Sequence, residues 1–170
     1  MKTIGIFYGS STGNTEEVAK SIATKLGVDK KHVFDVANVS IELVNNYEIL
    51  FLGASTTGVG DLQDDWDGLE VTLSTQDLSQ KQVAVFGMGD SSSYSDSFCE
   101  AINLLVLAAE KAGAAVVGGG VDASAYSFDS SLSEVDGKFS GLPLDEDNES
   151  ELTDARLTQW LEQVKLECSL

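Results

Sequence analysis

The chain has 170 residues, 42% of them hydrophobic, and sets 28 acidic against 10 basic side chains for a formal charge of −18. This length predicts one domain, residues 1–170, with a sizeable core. The charge excludes nucleic acid and anionic membrane as partners; it fits a basic protein partner reached by electrostatic steering, or solubility alone.

Residues 1–8 form a strand-like run with Lys2 as its only basic residue, so no signal peptide is expected. No apolar run reaches the length of a membrane span. Cys99 and Cys168 are too few and too far apart for a disulfide framework or a zinc site. A reduced, cytoplasmic location is the expectation.

The first strand covers 3–8. It runs into Gly9-Ser10-Ser11-Thr12-Gly13-Asn14-Thr15, after which Val18, Ile22 and Leu26 recur at helical spacing over 14–26. A strand that ends in a hydroxyl-rich loop opening a helix gathers backbone N–H groups at the positive end of the helix dipole, a cradle for phosphate. The ordinary alternative is a strand-to-helix turn with Ser/Thr caps. A Walker A loop would need Gly-Lys-Ser/Thr, but Asn14 follows Gly13. A dinucleotide fingerprint would need three glycines, and only Gly9 and Gly13 are present. Neutral donors without Lys or Arg suit one terminal phosphate on a small cofactor.

A short strand is expected over 32–36, with His32 at the surface or a strand edge rather than ligating a metal. A helical segment near 40–46 leads to the continuous apolar strand 49–53. The loop Ala54-Ser55-Thr56-Thr57-Gly58-Val59-Gly60-Asp61 follows, then a helix over 64–74 with Trp66 packed on the sheet. Strand 83–87 leads to Met88-Gly89-Asp90-Ser91-Ser92-Ser93-Tyr94-Ser95-Asp96. A helix over 98–112 and a strand from 115 complete the rhythm. Residues 118–141 break it, as an insertion that splits the last strand, with Gly141-Leu142-Pro143-Leu144 finishing it. Pro143 then needs an edge position or an unpaired N–H. Asp145-Glu146-Asp147 reads as a solvated turn before a final helix near 153–166 that buries Trp160. Strands apolar throughout imply a parallel sheet buried on both faces, and right-handed crossovers make it a three-layer α/β/α sandwich with five strands.

In such a sheet ligands bind beyond the carboxyl ends of the strands. Three loops leave those ends, and Tyr94, on a polar loop, is placed to stack on a planar ligand. The three loops, in this order, resemble the flavodoxin family. Gly9 to Thr15 is similar to its FMN phosphate loop, Asp61-Leu62-Gln63-Asp64-Asp65-Trp66 to the start of the helix after its second flavin loop, and Gly87-Met88-Gly89-Asp90 with Tyr94 to its third. The insertion, Asp136-Gly137-Lys138-Phe139-Ser140-Gly141-Leu142 and Asp145-Glu146-Asp147-Asn148 resemble the long-chain subgroup.

That resemblance implies a low-potential one-electron carrier with non-covalent FMN, not an enzyme, and a monomer. Its partners would be basic redox proteins such as a flavodoxin/ferredoxin NADP reductase and an electron-accepting enzyme. Ser10, Ser11, Thr12, Gly13, Asn14 and Thr15 would hold the phosphate. Ser55, Thr56, Thr57, Gly58, Val59 and Gly60, with Gly89, Asp90 and Asp96, would line the ring, and Tyr94 would cover its outer face. Thr57 stands where many members carry an inner-face tryptophan, which implies weaker stacking there. The Gly58 carbonyl is expected to turn toward flavin N5–H on one-electron reduction. Asp61, Asp64, Asp65, Asp90 and Asp96 would disfavour added negative charge on the flavin. Two other readings stand beside this: an FMN-dependent quinone or nitro-compound reductase on the same fold, and a flavin-free receiver-type module. The second lacks the aspartate it needs, having Gly53 and Ala54 at the end of the third strand.

Overall fold

The computed structural model describes residues 1–170. Its strands in chain order are β1 (Ile4–Tyr8), β2 (Val33–Asp35), β3 (Ile49–Thr57), β4 (Asp61–Leu62), β5 (Gln82–Met88), β6 (Ala115–Val117), β7 (Val121–Asp122), β8 (Glu134–Val135), β9 (Lys138–Phe139) and β10 (Leu142–Leu144). The helices are α1 (Asn14–Leu26), α2 (Leu69–Ser74), α3 (Ala101–Lys111) and α4 (Thr153–Cys168). No helix is long and apolar enough to cross a membrane.

The apolar runs became parallel strands in the order β2-β1-β3-β5, with the fifth place beside β5 shared by two short strands. β6 pairs the first half of β5, Ala115 opposite Gln82, and β10 pairs the second half, Leu142 opposite Phe86. The insertion therefore does split the last strand. Pro143 lies in β10 at the sheet edge, where its missing N–H breaks no ladder.

Side chains of β1, β3 and β5 alternate between two cores. On one face Phe7, Leu50, Leu52, Val83 and Val85 pack against α2 and α3. On the other Ile6, Phe51, Ala84 and Phe86 meet α1 and α4, including Val18, Ile22, Leu157 and Trp160. Trp160 is buried as expected, and its Nε1 donates to Gly118 O at 2.7 Å. His32 is half-buried, its Nδ1 2.9 Å from the Tyr47 hydroxyl.

Four expectations need correction. The apolar pattern 64–74 is not one helix: a 3₁₀ turn covers Asp64–Trp66, and α2 starts only at Leu69, after Gly68 has taken a φ of +79° that glycine allows. The helix expected over 98–112 begins at Ala101 because Cys99 adopts φ +53° and breaks the helical path. Strand β3 runs on to Thr57, through what looked like loop, because β4 folds back on it as a hairpin. Residues 118–141 hold a three-stranded antiparallel sheet, β7-β9-β8, above an aromatic cluster. Phe139 sits at its centre, with ring centroids 5.2 Å from Phe128 and 5.4 Å from Tyr126. Loop composition hid three aromatic rings, Tyr126, Phe128 and Phe139, that pack together with Phe98.

Candidate functional site

Strands β1, β3 and β5 lie side by side and point the same way, so their carboxyl ends place three loops along one edge. The backbone stitches the loops at their roots. Gly9 N–H donates to Gly53 O at 3.0 Å, and Gly89 N–H to Leu144 O at 2.9 Å.

The first loop ends at Gly13, which takes φ +96° as it enters α1. Ser10 Oγ accepts from Gly13 N–H at 3.0 Å, closing the loop on itself. No side chain caps α1. Its first-turn N–H groups thus face the loop mouth with the helix dipole behind them. Ser11 and Thr12 are exposed, Asn14 is half-buried and Thr15 is buried at the base. The Ser/Thr-capped turn considered from the sequence is not what forms.

The second loop is the β3–β4 hairpin, with Thr57 opposite Asp61 and Gly58-Val59-Gly60 at its tip. Gly58 has φ +51° and Gly60 φ +88°, so the tip needs both glycines. Val59 is exposed. Thr57 spends its hydroxyl within the hairpin, donating to Leu62 O at 3.1 Å. Thr56 turns the other way, and its Oγ1 accepts from Ala101 N–H at 3.0 Å, so it caps α3 rather than facing the loop mouth. Ser55 O accepts from Gln63 N–H at 3.1 Å and ends the hairpin.

Trp66 and Gln63 join the first two loops. Trp66 is fully buried, and its Nε1 donates to Gly53 O at 2.9 Å. Gln63 is 1% exposed, and its Nε2 donates to Ser11 Oγ at 3.1 Å and to Asp65 Oδ2 at 2.7 Å. A Cβ on Gly9 would stand 2.2 Å from Gln63 Oε1 and 2.7 Å from Trp66 Cδ1, so only glycine fits there. Sequence reasoning missed Gln63 as a site residue. The available signal was a polar side chain set between Leu62 and Trp66 that no helix face could place outside.

The third loop is organised by two carboxylates. Asp90 Oδ1 accepts from Ser92 and Ser93 N–H at 3.0 and 2.9 Å, and from Asn148 Nδ2 at 2.9 Å. Asp145 was expected in a solvated turn, but it is fully buried. Its Oδ2 accepts from Ser91 N–H and Oγ at 3.1 and 2.6 Å, and its Oδ1 from Asn148 N–H at 3.0 Å. The tell was position: an acid at the carboxyl end of strand β10 of a parallel sheet. Tyr94, 45% exposed, projects from a loop closed by its own N–H to Asp90 O at 2.9 Å. Asp96 is exposed, its carbonyl accepting from Ser130 Oγ at 2.8 Å, which ties this loop to the insertion.

The charges are one-sided. Asp61, Asp64 and Asp96 are exposed, and Asp65 and Asp90 half-buried, along this edge. The ion pairs lie elsewhere, such as Lys25 with Asp154 at 2.8 Å and Arg156 with Glu149 at 3.1 Å.

The Ser93 N–H holds the Asp90 carboxyl below its usual range, helped by the Asn148 amide and the Ser92 N–H against partial burial. Burial, then the charges of Asp90, Asp145 and Glu146, push Asp147 up. The signs oppose. Stability from Asp90 is full above its ordinary value of 3.8 and is lost as pH falls through its lowered value. Asp147 contributes stability at low pH that is lost as pH rises through its raised value. The Ser92 and Ser93 amide resonances should therefore titrate below 3.8, and Asp90→Asn should abolish that inflection and move the higher one from Asp147 downward, because the Asp90 charge helps to raise it.

The flavodoxin family profile matches residues 6–160. The chain is 41% identical over 169 residues to a flavodoxin of Nostoc sp., covering 99% of each. It is 42% identical over 171 residues to flavodoxin 1 of Salmonella typhimurium, covering 100% of this chain and 97% of that one. The chain belongs to the flavodoxin family. Its fold superposes on a Fusobacterium nucleatum flavodoxin bound to flavin mononucleotide with a TM-score of 0.89, at 34% identity, over 98% of this chain and 99% of that one. The receiver-type reading falls on this membership and on geometry. A Cβ on Gly53 would stand 2.1 Å from the Phe86 ring, which leaves no room for an acceptor aspartate.

Proposed function

We propose that this flavodoxin binds FMN without a covalent link across the three loops and passes single electrons between protein partners. The observation that carries the reading is the uncapped start of α1 beneath a loop of neutral donors. A phosphate monoester fits there: the Ser11 and Thr12 hydroxyls are exposed, Gly13 has open space where a Cβ would be, and no cation is needed. A reductase acting on quinones or nitro compounds is not favoured, since the family profile and the relatives matched over nearly the whole chain are flavodoxins.

When bound, FMN supplies one-electron chemistry, and the protein's part is to set how strongly each charge state is held. Each tenfold difference in affinity between two redox states moves a potential by about 59 mV, or about 1.4 kcal/mol. Ser10 through Thr15 hold the phosphate. Tyr94 covers the outer ring face and excludes water from it. Backbone at Gly58 through Gly60, Gly89 and Asp90 meets the polar ring edge. The carboxylates of Asp61, Asp64, Asp65, Asp90 and Asp96 oppose any added negative charge and keep the second potential low. With FMN bound, the Gly58 carbonyl would turn to the ring edge and serve as a hydrogen-bond acceptor for N5–H, a turn that glycine permits at a tip already at φ +51°.

With Ser55, Thr56, Thr57 and Val59 forming the hairpin, its inner wall offers Thr57 rather than an aromatic ring. The partners are a basic flavoprotein reductase as donor and a reductive enzyme as acceptor, steered by the acidic face. The protein acts as a monomer, a single domain in the cytoplasm.

The test is anaerobic reductive titration of the FMN-loaded protein and of Gly58→Val. Two well-separated one-electron potentials support the reading, and a single two-electron step overturns it. The valine variant should bring the two potentials closer by about 59 mV or more. An unchanged gap overturns the role of Gly58.

A further inference from the structure

The start of α3 is held by two otherwise separate parts of the molecule. On one side is the hairpin: Thr56 Oγ1 accepts from Ala101 N–H at 3.0 Å. On the other is the insertion: Ser133 Oγ donates to Cys99 O at 2.8 Å and accepts from Asn103 N–H at 3.0 Å. Glu100 stands between them. Its Oε1 accepts from Leu132 N–H of the insertion at 3.1 Å. Its Oε2 lies against Gly60, only 2.2 Å from where a Cβ on that glycine would be. Gly60 is glycine because of its φ of +88°, and the Glu100 carboxylate occupies the space where a side chain there would begin. Leu132 at this contact, and Val135 three residues on in β8, are exposed apolar side chains.

We infer that Glu100 is a positioning residue that braces the Gly58–Gly60 tip against the insertion and so couples the insertion to the flavin's redox balance. The inference rests on the function proposed above. A braced tip has less freedom to lose when the Gly58 carbonyl is fixed against N5–H, so the hydrogen bond forms at lower entropic cost. Loosening the brace makes that state harder to hold. A protein that displaces Leu132 or Val135 would shift the Leu132 N–H and, through Glu100, the tip.

The test compares the parent, Glu100→Ala and Glu100→Gln. The glutamine keeps an acceptor for Leu132 N–H and fills the space beside Gly60 but drops the charge. The first readout is amide hydrogen exchange over 58–62, in the protein with and without FMN. Glu100→Ala should exchange there on the order of tenfold faster, and Glu100→Gln near the parental rate. The second readout is the gap between the two one-electron potentials, which should narrow by about 59 mV in Glu100→Ala for a tenfold effect and stay near the parental gap in Glu100→Gln. Parental exchange in Glu100→Ala overturns the brace. Faster exchange with an unchanged or wider gap overturns the coupling to the flavin. Equal effects of alanine and glutamine on the gap overturn positioning in favour of charge alone. A parent protein that shows a single two-electron step defeats the carrier reading instead, and the exchange result without FMN still decides the brace.

Discussion

Asp145→Ala is expected to lower stability by about 3 kcal/mol, because it removes the one acceptor group that Ser91 N–H, Ser91 Oγ and Asn148 N–H share inside the protein. Unpaired buried donors cost more than the net worth of the bonds they made. The damage spreads through the third loop, since Asn148 also donates to Asp90, and Asp90 holds Ser92 and Ser93. Asp145→Asn keeps one acceptor oxygen and should lose roughly half as much. Urea unfolding measures both, with and without FMN. FMN should stabilise Asp145→Ala less than the parent, because a disordered third loop leaves Tyr94 without a fixed position. A loss within about 0.5 kcal/mol of zero would show that water replaces the carboxylate, and the buried-acceptor account would fail.

Trp66→Ala should cost about 3–5 kcal/mol, the usual range for emptying an aromatic site in a core. Its indole lies against Gly9 and bonds Gly53 O in β3, so the cavity opens at the root of the phosphate loop and beside the strand that carries the second loop. FMN affinity should fall by about tenfold or more as both loops lose their support. Trp66→Phe separates packing from hydrogen bonding. Gly53 O also accepts from Gly9 N–H at 3.0 Å, so it keeps a partner when the indole N–H is lost. The phenylalanine variant should therefore lose only about 1–1.5 kcal/mol, with FMN affinity near the parental value. Fluorescence titration of FMN against each variant, beside thermal unfolding, tests both halves. Equal loss in the two variants would place the effect in the hydrogen bond instead.

The parallel sheet, its five positions and the helix over 14–26 were legible because continuous apolar strands and 3.6-residue periodicity are local signals, set by burial of each element's own side chains. Motif order made the three loops legible as well, since a parallel sheet brings successive carboxyl ends to one edge whatever the details. Charge likewise needs no structure to count. What the sequence left undetermined depends on partners distant in the chain. Gln63 becomes buried only because Trp66 and Gly9 close around it, and Asp145 only because Ser91 and Asn148 supply donors to it. Thr56 reads from the sequence only as a loop residue beside the ring, and it takes the fold to show that its Oγ1 accepts from Ala101 N–H of α3 at 3.0 Å. Residues 118–141 read as loop because their aromatic side chains are scattered in sequence, and only tertiary packing gathers Phe98, Tyr126, Phe128 and Phe139 into one cluster. Local patterns fixed the scaffold; burial of polar groups, which requires a mate from elsewhere in the fold, was decided by tertiary structure alone.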